Sequence, residues 1–191
     1  MIATGVITPF MVPMKVTMVV ALMISLPWVL YQAWAFVAPG LYQHEKRLIA
    51  PLIISSSLLF LLGVAFCYFF VFGTVFKFIN DFAPKSISVA PDIENYLDFV
   101  ITMCLAFGFT FEVPVVVIVL VRMGLVSVEK LKAARPYVIV GAFVIAAVVT
   151  PPDIMSQLFL AVPLCLLYEV GLLLAPLFER VTRASDSEEA V

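Results

Sequence analysis

The run PLIISSSLLFLLGVAFCYFFVFGTVF, residues 51–76, holds 26 residues without one charged side chain. A helix crossing a hydrocarbon core about 30 Å thick needs roughly 20 apolar residues. At a rise of 1.5 Å per residue this run would be about 39 Å long, enough to span with tilt. Pro51 suits the first turn of a helix, where its missing N–H costs nothing. Ser55, Ser56, Ser57 and Gly63 are small residues that let a neighbouring helix come close. The run predicts a membrane span, and the pattern repeats on both sides of it.

Upstream, residues 16–38 carry no charge for 23 residues. Trp28, Tyr31 and Trp34 crowd the end of that run as an interfacial aromatic belt would. Pro27 predicts a kink. Downstream, residues 97–121 form a third run containing Glu112, two residues before Pro114. Residues 136–150 form a fourth run of only 15, about 22 Å of helix. Residues 154–177 form a fifth, with Glu169 near its end. Between them lie a proline-punctuated approach (1–15), a loop at 39–50 and a polar loop or surface helix at 77–96. Then come a polar loop at 122–135, with Ser127 as a helix N-cap, and a tight Pro151-Pro152-Asp153 turn. The polar tail, 178–191, reads as disordered.

The whole chain agrees. Its 191 residues are 64% hydrophobic and 13% charged, against about 25% charged in soluble domains. Mean hydropathy is +1.16. The fold class expected is an all-α polytopic membrane protein: one transmembrane domain over 1–191, a bundle of five transmembrane helices. Lys46, Arg47, Arg122, Lys130, Lys132, Arg135, Arg180 and Arg183 fall on one side, which makes eight of the 11 basic residues. Lys15, Lys77 and Lys85 fall on the other. By the positive-inside rule the loops at 39–50 and 122–135 and the C-terminal tail are cytoplasmic, and the N-terminus of this chain is periplasmic. An outside N-terminus without a signal peptide predicts an upstream segment that carries it across.

Several classes fall away. With one histidine, no nucleophile–base pair, no HExxH and no phosphate loop, the chain is not read as an enzyme. Cys67, Cys104 and Cys165 sit in apolar runs without CxxC or Cys/His pairing and read as small buried hydrophobes; no metal or other cofactor is expected. No basic stripe points to nucleic acid.

Three groups carry the candidate chemistry. Glu112 lies inside a span, where a carboxylate costs roughly 2.5 kcal/mol or more and usually faces a cavity or partner. It reads either as the polar contact of a hydrated cavity or as an acid hydrogen-bonded within the bundle. Glu45, flanked by His44, Lys46 and Arg47 in the aromatic stretch YQAWAFVAPGLYQHEKR (31–47), reads as a solvated juxtamembrane cluster or as a site for a cationic peptide. Asp153, with Thr150 and Gln157, either caps the fifth span or holds a partner helix. Trp28, Trp34 and Phe36 read as belt anchors before ligand contacts. A proton-coupled secondary transporter using Glu112 is the alternative function, although no internal repeat supports it. Solute uptake abolished by Glu112→Gln would favour that alternative.

Four stretches carry a family resemblance: YQAWAFVAPGLYQHEKR (31–47), FGFTFEVPV (107–115), ARPYVIVGAF (134–143) and TPPDIMSQ (150–157). The chain resembles the TatC subunit of the twin-arginine protein translocase. That resemblance implies six spans in a curved, glove-like bundle, with the last two short and both termini in the cytoplasm of a bacterial inner membrane. It implies a core receptor for the twin-arginine signal peptides of folded cargo, exported on the proton gradient. The signal-peptide-binding residues would be Phe36, Leu41, His44 and Glu45. Glu112 would be the intramembrane acid of the concave face. Thr150, Asp153 and Gln157 would dock TatA-like and TatB-like single-span subunits. Self-association and contact with membrane lipids are implied as well. Set against this pattern, the chain is expected to lack the family's N-terminal segment and first transmembrane helix. The short last spans imply a locally thinner bilayer.

Overall fold

The computed structural model of the chain describes residues 7–37, 49–82, 92–150 and 154–189, with side chains over 7–36, 51–77, 92–150 and 154–176. Its regular elements are α1 (Thr8–Val37), α2 (Ile49–Phe66), a π-helical turn (Cys67–Val71), α3 (Phe72–Phe82), α4 (Ile93–Arg122), α5 (Val128–Ala133), α6 (Arg135–Val149) and α7 (Ile154–Glu189). Among the described residues, four stretches are long and apolar enough to cross a membrane: Thr8–Phe36, Pro51–Lys77, Ile93–Arg122 and Ile154–Pro176. The shorter apolar α6 is the fifth helix of the bundle. The all-α polytopic class expected from composition is what the chain adopts.

The helix bounds depart from the charge-free runs in four places. α1 begins at Thr8, not near residue 16, and runs through both Pro13 and Pro27. Pro9 occupies the first turn, where no N–H bond is lost. Pro13 forfeits one bond inside the helix. The early turns are held instead by Lys15 and Thr8, which reach α4. The second run is interrupted by one π-helical turn at Cys67–Val71. α4 starts at Ile93, because Asp92 caps it by accepting the Glu94 backbone N–H at 3.1 Å. The tail expected to be disordered is helical to Glu189, while the apolar part of that helix, Ile154–Pro176, is 23 residues long, shorter than the three other long spans. Ser127 does cap α5, accepting the Lys130 N–H at 3.4 Å.

α4 is the central helix. Its most apolar window is 56% buried, against 6% for α1. Backbones approach closely where glycines stand. A Cβ on Gly108 would lie 2.5 Å from the Phe60 ring, and one on Gly63 would lie 2.6 Å from the Phe107 carbonyl oxygen. So α2 and α4 interlock reciprocally, a bulky side chain of each lying over a glycine of the other. α7 meets α4 in the same way: a Cβ on Gly171 would sit 3.0 Å from Pro114 Cα. Lipid offers no hydrophobic drive between helices, so this tight packing is what holds them. Phe60, Met103, Phe107 and Leu160 are fully buried at the centre. Val117, Val121, Leu131, Tyr168 and Leu172 form a second cluster, in which the Tyr168 hydroxyl donates to the Leu131 carbonyl at 2.8 Å.

Polar contacts fasten the ends. Lys15 Nζ pairs with Asp98 at 2.7 Å and Glu94 at 3.2 Å, and Thr8 Oγ1 donates to Glu94 at 2.9 Å. These bonds tie the start of α1 to the start of α4. At the opposite end, Arg135 pairs with Glu169 at 2.7 Å and ties α6 to α7.

Candidate functional site

Glu112 is buried on α4, and neither carboxylate oxygen makes a well-formed hydrogen bond among the described residues. Its polar neighbour is the Ser56 hydroxyl on α2. Ser56 is itself fully buried and accepts the Trp34 indole N–H at 3.1 Å. Three helices thus contribute one polar side chain each to a single locus. Pro114, two residues on from Glu112, removes the helical donor to the Thr110 carbonyl. Thr110 turns its own hydroxyl back to the Ala106 carbonyl at 2.7 Å.

This locus opens on a cleft of about 480 Å³ between α1 and α4. Leu30 and Ala33 line one wall; Phe109, Val116 and Leu120 line the other; Trp34 and Glu112 are the polar members. A carboxylate with unused acceptor capacity in an apolar cleft can do one thing well. It can bind a hydrogen-bond donor that an apolar guest carries in, because a buried acceptor gains most from a new partner.

The other sequence candidates separate into two ends of the molecule. Phe36 stands in the last turn of α1 and is 88% exposed, directed away from the bundle. Leu41, His44 and Glu45 lie outside the described residues, as does Asp153. Thr150 is the C-cap of α6; it is buried, and its hydroxyl donates to the Ala146 carbonyl at 2.8 Å. Gln157 Nε2 donates to the Phe143 carbonyl at 3.2 Å, joining α7 to α6. Thr150 thus closes α6, and Gln157 braces the α6–α7 corner. The exposed surface beside them is apolar, with Val148 81% and Ile154 77% exposed.

Two constellations were not read from the sequence. In sequence Trp34 reads as a belt anchor and Ser56 as a packing residue, yet they shape the surroundings of Glu112. Lys15 and Glu94 read as charges of the polar segments beside the spans, yet with Asp98, at the start of the third run, they form a clasp. No local signal marks either group: the partners stand 22 residues apart in the first and 79 and 83 apart in the second. Trp28 does behave as expected of a belt residue, being exposed and packed against the Tyr31 ring at 5.5 Å.

Comparison with known proteins now adds the context. The family model described as "Sec-independent protein translocase protein (TatC)" matches residues 1–163. The chain is 52% identical over 191 residues to the Sec-independent protein translocase protein TatC of Haemophilus influenzae, covering all of this chain and 73% of that protein. It is 52% identical over 171 residues to TatC of Escherichia coli K12, covering 90% of this chain and 66% of that protein. It is 49% identical over 188 residues to TatC of Halothiobacillus neapolitanus, covering 98% of this chain but 51% of that protein. The crystal structure of the twin arginine translocase receptor TatC in DDM superposes with a TM-score of 0.82 at 38% identity, over 91% of this chain and 78% of that one. The chain thus spans about half to three quarters of the length of these relatives. Its described helices, its match over residues 1–163 and its identity to these proteins together establish that this multi-pass membrane protein belongs to the TatC family of Sec-independent protein translocase proteins, a family of transport proteins.

Proposed function

We propose that the chain is the core receptor subunit of a twin-arginine translocase in a bacterial inner membrane. It binds the twin-arginine signal peptides of folded proteins and recruits single-span TatA-like and TatB-like subunits. Export is driven by the proton gradient. The C-terminal tail and the loops at 39–50 and 122–135 face the cytoplasm in this reading, and residue 7 faces the periplasm. Its likeness, at a TM-score of 0.82, to a solved twin arginine translocase receptor supports this reading.

The observation that carries it is Phe36, 88% exposed at the end of α1 and nine residues before Glu45. A guanidinium is planar, offers five donors and stacks on aromatic faces, so a carboxylate and exposed rings suit arginine better than lysine. In this reading Glu45 takes one guanidinium in a bidentate pair, and Phe36, Leu41 and His44 supply the surrounding apolar and aromatic wall. The apolar stretch of the signal peptide would then lie along the Glu112 cleft. Single-span partners would dock at the Thr150–Asp153–Gln157 corner, on the apolar surface beside Val148 and Ile154.

A photo-crosslinking residue at position 36 tests the reading. A precursor with paired arginines crosslinks there, and its twin-lysine counterpart does not. Equal crosslinking of the two precursors would refute it.

A further inference from the structure

A second cleft, of about 300 Å³, opens between α6 and α7, well away from Glu112. Its walls are Ile139 and Phe143 on one side and Val162 and Leu166 on the other, with Cys165 between them. All four wall residues are exposed on the outer surface of the bundle. One end only is charged, where Arg135 and Glu169 pair at 2.7 Å. A cleft that is apolar along its length and ionic at one mouth has the shape of an amphiphile's site.

Charge chooses the occupant. Arg135 follows closely on α5, which packs against α6 and α7 and carries Lys130 and Lys132 beside Glu129. Lys130, Lys132 and Arg135 are exposed. Such a rim attracts an anionic headgroup. Arg135 opens α6 where the charged α5 gives way to an apolar helix, which sets it at the membrane boundary. We propose that the α6–α7 cleft is a binding site for an anionic phospholipid, its phosphate held by Arg135 with Lys132 and one acyl chain lying against Phe143 and Val162.

The test uses the purified chain in mixed phosphatidylglycerol and phosphatidylcholine, with retained lipid read by native mass spectrometry. One phosphatidylglycerol is retained in preference to phosphatidylcholine. Arg135→Gln lowers that retention about fivefold, the worth of one basic residue at an anionic surface. Val162→Trp, which fills the cleft and changes no charge, lowers it as well, and bound phosphatidylglycerol slows maleimide labelling of Cys165. Equal retention of the two lipids overturns the proposal. So does loss in Arg135→Gln with full retention and unchanged Cys165 labelling in Val162→Trp, since that pattern is a charged rim without a cleft. Co-purification of a protein that Val162→Trp releases, with no lipid retained, overturns it in favour of a partner helix.

Discussion

Trp34 donates its indole N–H to Ser56 at 3.1 Å, and Ser56 is the polar group set against the Glu112 carboxylate. This contact joins α1 to the rest of the bundle at a helix with little other burial. Removing it by Trp34→Phe or Ser56→Ala should cost about 1 kcal/mol each, the net worth of one hydrogen bond. The double variant should cost little more than one single, because both delete the same bond. Thermal unfolding in detergent, followed by circular dichroism, measures this. Fully additive losses would show that the two residues act independently.

The glycine contacts predict a sharper effect. Gly108→Ala places a methyl 2.5 Å from the Phe60 ring, and Gly63→Ala places one 2.6 Å from a backbone oxygen. Each should destabilise by about 1–3 kcal/mol through overpacking. Phe60→Leu should rescue part of the loss in Gly108→Ala, because a side chain can be shortened. It should not rescue Gly63→Ala, whose obstacle is the Phe107 carbonyl. Rescue of both, or of neither, would contradict this packing.

The Lys15–Glu94–Asp98 clasp predicts a salt-dependent readout. Its side chains are a third to a half exposed, so its ion pairs are screened. Lys15→Gln should raise amide exchange over the first turns of α1 at low salt and leave the turns around Trp34 unchanged. High salt should erase the difference between variant and parent. Uniform acceleration along all of α1 would mean that the clasp does not act locally.

How much of this was legible in the sequence varies with the kind of interaction. The helices follow from charge-free runs, since a backbone in lipid must satisfy its own hydrogen bonds. Ser127 and Gly63 announced their roles through local chemistry, one as a cap and one as a close-packing point. The start of α1 was hidden because Pro9 and Pro13 look like breakers, while the side chains that hold those turns reach residues 79 and 83 positions away. The helical tail beyond Pro176 is not legible because its polar, charged composition reads as disorder. Glu112 was legible as an acid inside a span. Its surroundings were not, because Trp34 and Ser56 are ordinary residues until tertiary packing brings three helices together.

Arg135 and Glu169 bear on stability as well as on lipid. The pair is about half exposed, so Glu169→Gln should cost no more than about 1 kcal/mol. Tyr168→Phe deletes a buried bond to the Leu131 carbonyl and should cost at least as much. A thermal series over the two variants checks the order. A much larger loss for Glu169→Gln would show that the ion pair dominates this end of the bundle.

Peptide affinity across four combinations tests the central claim most directly: the chain and its Glu45→Ala variant, each with a twin-arginine and a twin-lysine signal peptide. The receptor account predicts tight binding only for the unaltered chain with paired arginines, and weaker, similar binding for the other three. Equal affinity in all four would contradict it.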